Sequence, residues 1–88
     1  MIINIKDLKN KIIYRANYRG TKEMDKLLSS FTKIYIDQLT ADELQLLCDL
    51  LDLDDENLYK LNQGMNLTIE INPNKVTKLF QNYDYVNE

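Results

Sequence analysis

Residues 40–51 read Thr40-Ala41-Asp42-Glu43-Leu44-Gln45-Leu46-Leu47-Cys48-Asp49-Leu50-Leu51. The first four form a capping box, in which the Thr40 hydroxyl accepts from the Glu43 N–H and the Glu43 carboxylate accepts from the Thr40 N–H. Leu44, Leu47, Cys48 and Leu51 then recur at helical spacing, and Leu46 and Leu50 widen the stripe. A helix this apolar belongs at the centre of a fold, with neighbours on more than one side. The segment therefore predicts a helical core.

Toward the N-terminus, Thr21 reads as an N-cap, with Glu23 and Asp25 in the first turn. Met24, Leu27, Leu28, Phe31 and Tyr35 make an amphipathic stripe that fades near Asp37 and Gln38. Before it, a helix over Ile5–Tyr18 carries Ile5, Leu8, Ile12 and Ala16 on one face. Arg19 is expected in its last turn, and Gly20 as the left-handed residue that ends it.

Toward the C-terminus, Asp54 or Asp55 caps a short helix bearing Leu58 and Leu61, closed by Gly64. Leu67, Ile69 and Ile71 alternate with polar residues as a strand would. No partner strand exists, so the run reads as an extended connector lying on the core. Asn72-Pro73 predicts the start of a last helix carrying Val76, Leu79, Phe80 and Tyr83. The expected fold is all-α, a compact bundle of about five short helices in one domain over residues 1–88.

Composition agrees and excludes much. Two Gly and one Pro in 88 residues are too few turn formers for a sandwich or barrel. Histidine is absent, which removes the commonest general base and metal ligand. Cys48 is the single cysteine, so no internal disulfide forms, and a lone thiol suits a reducing compartment. On its apolar stripe Cys48 reads as a buried structural thiol. Leu44–Leu53 is too short and too charged to span a bilayer. The Met1-Ile2-Ile3 start lacks the basic region of a secretory signal.

The net charge of −3 is unevenly spread. Residues 1–26 hold seven Lys/Arg against three Asp/Glu, and residues 27–88 hold four against eleven. An acidic chain with a locally basic start is a poor nucleic-acid binder and a reasonable partner for a complementary protein surface. Asp52, Asp54 and Glu56 fall in calcium-loop register, yet Asn57 replaces the required Gly and Gln63 the closing Glu. That run is expected to serve as N-cap and solvated face. Tyr14 and Tyr18, four apart on the first helix, read either as an exposed patch for a partner or as half-buried packing.

The junction Arg19-Gly20-Thr21-Lys22-Glu23 has a structural reading for every residue, namely dipole partner, C-cap, N-cap and first-turn anion. It also permits a rigid corner from which Arg19 and Glu23 project together as a polar knob. Arg19-Gly20-x-x-Glu23, followed by Asp25 and Phe31, resembles the signature of the succinate dehydrogenase assembly factor family, the SdhE or flavinator proteins. The resemblance continues through Leu39-Thr40-x-x-Glu43, Leu47, Leu50-Leu51, Asp54-Asp55 and Leu58-Tyr59, over roughly residues 10–64. Tyr18 stands where many members have a basic residue, Glu56 where many have Pro, and the connector 65–72 does not look like the family.

The resemblance implies an assembly factor that binds the flavoprotein subunit of succinate dehydrogenase, or fumarate reductase, and promotes covalent attachment of FAD to it. The FAD belongs to the client, and the factor binds no cofactor tightly and is not itself an enzyme. Carried over by position, Arg19, Gly20 and Glu23, with Tyr18 and Asp25 beside them, are the partner-binding residues. A cytoplasmic, bacterial monomer is expected. The rival reading is a generic interaction module, such as an antitoxin-like partner protein, with no effect on a client's flavin. A flavin carrier is disfavoured because no Gly-rich phosphate loop is present, and a hydrolase because no activated nucleophile is.

Overall fold

Five helices form in chain order in a computed structural model that describes residues 4–84. They are α1 (Ile5–Asn17), α2 (Lys22–Tyr35), α3 (Ala41–Leu50), α4 (Asp55–Asn62) and α5 (Lys75–Gln81). The Met1-Ile2-Ile3 start, and with it the signal-peptide expectation, lies outside the described residues. Helix α1 packs on α2 and α3, α3 also packs on α5, and α5 on α4. The central position expected for residues 41–50 is thus observed, and the fold is all-helical with no strand among the described residues.

Local capping chemistry sets most of the helix starts. Thr40 Oγ1 accepts from the Glu43 N–H at 3.3 Å, and Glu43 Oε1 accepts from the Thr40 N–H at 2.9 Å. Thr21 Oγ1 accepts from the Met24 N–H at 3.2 Å, and Asn4 caps α1 through the Asp7 N–H. Two starts differ from expectation. Helix α5 is capped by Asn74, not Asn72, because Asn74 and Thr77 close a reciprocal capping box. Asp54 occupies the N-cap position of α4, but its Oδ1 accepts from Asn57 Nδ2 at 2.6 Å instead of from the helix backbone. That hydrogen bond, before any other cause, holds the Asp54 carboxyl below the usual aspartate value.

The core is built from Leu8, Ile12 and Ala16 of α1, the α2 stripe, Leu44, Leu47, Cys48 and Leu50 of α3, Leu58 and Leu61 of α4, and Val76 and Phe80 of α5. Ile5, expected on the core face, is exposed instead. It lies in the first turn of α1, at the end of the helix. Cys48 is buried and free. The connector 65–72 lies on the core through Leu67 and Ile71, while Ile69 points outward. Buried Asn57 pins it: Asn57 Oδ1 accepts from the Thr68 N–H at 2.9 Å and Nδ2 donates to Thr68 Oγ1 at 2.9 Å. An amide can satisfy such a loop because it offers donor and acceptor together.

Helices α3 and α5 are also joined by an ion pair, Lys75 Nζ to Glu43 Oε2 at 2.8 Å. The Lys75 hydrogen bond, and then that from the Thr40 backbone, hold the Glu43 carboxyl below the ordinary glutamate value. A depressed carboxyl stabilises the fold above its unfolded value, about 4.3, and loses that contribution as pH falls through the folded value. Glu43→Gln keeps a capping side chain and removes the charge. We expect the variant to melt below the wild type at pH 7, and the gap to narrow as the pH is brought to 3. A gap that stays constant over that range in thermal melts would exclude this role for Glu43.

Candidate functional site

The corner between α1 and α2 is built differently from the sequence expectation. Helix α1 ends at Asn17, so Arg19 lies beyond its last turn, where Arg15 is the basic residue. Gly20 does not take the left-handed conformation, which among the described residues belongs to Gly64, at a φ of 71°. Gly64 accordingly closes α4 as expected, with its N–H bonded to the Leu61 carbonyl.

Gly20 is required for closeness instead. Its N–H donates to Asp55 Oδ2 at 3.0 Å, and a Cβ placed on it would stand 3.2 Å from the same oxygen. The other Asp55 oxygen, Oδ1, accepts from Arg19 Nε at 2.8 Å. Arg19 Nη1 reaches the Leu51 carbonyl at 3.1 Å, and Nη2 the Leu53 carbonyl at 2.8 Å. The Arg19 backbone N–H donates to Asp25 Oδ1. Arg19 is thus turned inward, its side chain 12 % exposed, with its guanidinium satisfied from within the chain. It does not project beside Glu23.

The five residues named from the sequence therefore fall into two groups. Arg19 and Asp25 hold the corner together. Tyr18, Gly20 and Glu23 lie on its exposed side. Glu23 makes no ion pair among the described residues and rims a shallow depression with Met24, Leu27, Tyr59, Asn62, Gln63, Tyr83 and Asp84. Tyr14 and Tyr18 are exposed, 65 % and 71 %, and their rings sit 4.6 Å apart. Both rings are therefore exposed and not half-buried packing residues.

Sequence reasoning missed Asp55, which it assigned to capping or a solvated face. Its neighbour Asp52 likewise pairs with Arg15. The acidic turn between α3 and α4 is thus clamped onto the end of α1. Both pairs join residues far apart in the chain, 37 positions for Arg15 with Asp52 and 36 for Arg19 with Asp55, so no local pattern signals them. Among the described residues no three His, Cys, Asp or Glu side chains gather as a metal site, and no helix is long and apolar enough to cross a membrane.

The family profile described as Sdh5, flavinator of succinate dehydrogenase, matches residues 10–84. The chain belongs to that family. The match extends past residue 64 through the connector and α5, so residues 65–72 fall inside the family's span, contrary to the sequence reading. Among curated relatives, the chain is 41 % identical over 49 residues to "Succinate dehydrogenase assembly factor 2, mitochondrial" of Lodderomyces elongisporus. That alignment covers 56 % of this chain and 30 % of the relative. It is 34 % identical over 55 residues to "FAD assembly factor SdhE" of Acetobacter pasteurianus, covering 62 % of this chain and 50 % of the relative. The matched stretch thus spans half or less of either relative's length. No solved structure matches the chain significantly.

Proposed function

We propose that this flavinator-family chain is an assembly factor that binds the flavoprotein subunit of succinate dehydrogenase, or of fumarate reductase, and promotes covalent attachment of FAD to it. The observation that carries the reading is the corner itself, where the family signature is held rigid from behind by Asp55 and exposes Gly20 and Glu23 in front. A rigid polar edge suits an agent that fixes the geometry of another protein, since positioning reacting groups is itself a large catalytic lever. The flavin and the client supply the bond-forming chemistry, and the factor acts by favouring one client conformation.

Tyr18 and Tyr14 add an aromatic anchor next to that edge, of the kind that concentrates binding energy at interfaces. Lys22 and Lys26, at the start of α2, add exposed positive charge beside the corner, which favours a client surface of opposite sign. A cytoplasmic monomer that binds no FAD tightly is the form in which such a factor would act.

The test mixes the protein with a purified flavoprotein subunit, free FAD and a dicarboxylate, and reads covalent flavin by in-gel fluorescence after denaturation. The wild type should raise covalent flavin clearly above client alone. Glu23→Ala should lose that rise while keeping its helical circular dichroism, because Glu23 makes no ion pair within the described fold. Full flavin loading by Glu23→Ala would remove Glu23 from the contact surface. No rise with the wild type, and no complex with the client, would refute the assembly-factor reading.

A further inference from the structure

The Asp55 carboxylate gives one oxygen to each of two successive signature residues, Oδ1 to Arg19 Nε at 2.8 Å and Oδ2 to the Gly20 N–H at 3.0 Å. Bonds to a side chain and to the next backbone amide together fix both the position and the rotation of the peptide between them. The bond to Arg19 is charge-assisted, hence short and directional. Arg19 in turn cannot swing away, because the Leu51 and Leu53 carbonyls hold its two terminal nitrogens. The corner between α1 and α2 is therefore set from the first turn of α4, 35 residues beyond Gly20. Behind the corner lie Asp55 and the Arg19 side chain, and in front lie Gly20 and Glu23.

We infer that Asp55 is the positioning residue of the flavinylation corner, and that Arg19 acts through Asp55 and not by reaching the client. The inference rests on the assembly-factor reading. It assigns the signature arginine to the interior of the factor and adds to the corner a position from α4. A preorganised edge binds without the cost of ordering itself first. Loosening it should weaken the complex while leaving the chemistry in a saturated complex intact.

The test uses Asp55→Asn in the full chain. The amide is isosteric, keeps one acceptor oxygen and lacks both the charge and the second acceptor. Two readouts are taken at a temperature where both proteins are fully folded. The first is the Gly20 amide resonance in the free factor, which should shift upfield as its carboxylate acceptor is lost. The second is covalent flavin formation against factor concentration. The concentration for half-maximal effect should rise about tenfold, as expected for lost preorganisation, with the plateau unchanged. Arg19→Lys should behave alike, and the double variant should be little worse than either single, because both changes break the same Arg19–Asp55 pair. Asp55→Glu, which restores both acceptors, should recover part of the affinity.

An unmoved Gly20 resonance in Asp55→Asn would overturn the contact. An unchanged half-maximal concentration, with Glu23→Ala still inactive, would overturn the positioning role and leave the assembly-factor reading standing. Additive losses in the double variant would show that Arg19 has a separate role in the client complex. If the wild type itself leaves client flavin unchanged, the assembly-factor reading fails and the positioning role fails with it.

Discussion

Phe31→Ala should lower the melting temperature by more than about 15 °C, the largest stability effect expected of any single truncation in this chain. Phe31 is fully buried. Its ring lies 5.1 Å from Phe80 and 5.3 Å from Tyr83, both edge-on, and 4.9 Å from Tyr35. It thereby ties α2 to α5 and to the segment that follows it. Tyr83 reinforces the link by donating its hydroxyl hydrogen to Ser30 Oγ at 2.8 Å. Truncating a buried Phe costs about 3–5 kcal/mol, from lost transfer energy and the cavity left behind. A domain of this size holds about 5–15 kcal/mol in all, so the variant sits near its folding limit. Circular dichroism melts and urea titration check this. A loss under about 1 kcal/mol would mean that the cluster relaxes freely and does not organise the core.

Gly20→Val should remove flavinylation activity almost entirely, with a smaller effect on stability. The cause is space, because Gly20 has no positive φ. A Cβ would already meet Asp55 Oδ2 at 3.2 Å, and the branches of valine extend further toward it. Asp55 cannot yield cheaply, since its other oxygen is held by Arg19 and Arg19 by two carbonyls. The substitution must therefore push the corner away from α4 or break the Gly20 N–H bond. Losing one such bond costs about 1–3 kcal/mol, which a helical bundle with its core intact survives. The displaced corner no longer presents Glu23 in its native place, so covalent flavin should fall by at least about tenfold, equivalent to about 1.4 kcal/mol of lost coupling. Far-UV circular dichroism should stay helical. Normal activity in Gly20→Val would show that the client reads Glu23 without regard to the corner's geometry.

Gly20→Ala is a milder version of the same change. At 3.2 Å the neighbour must give by a few tenths of an ångström. A partial loss, between wild type and Gly20→Val, would order the series by volume and support a steric cause. The contrast with Gly64 is instructive. Gly64 has a φ of 71° and no atom near its absent Cβ, so it serves backbone conformation alone. Both glycines are expected from the sequence to end helices, and only Gly64 does so in the left-handed conformation.

The sequence by itself determined the helices and which faces they bury. Most helix starts are governed by residues three or four apart, such as Thr40 with Glu43 and Thr21 with Met24, and each buried face by the 3.6-residue period. These are short-range effects, so they are legible in a single strand of text. The candidate corner was legible for the same reason, because its signature is five consecutive residues. The tertiary structure alone decided which way Arg19 turns, why Gly20 sits too close for a side chain, and that Asp55 bonds to both of them. Those depend on contacts between residues 35 and 36 positions apart. Nothing in the local pattern of an acidic turn says which arginine it will meet. That choice falls to the packing of α3 against α1, which brings the start of α4 to the corner, and it is made only once the core has closed.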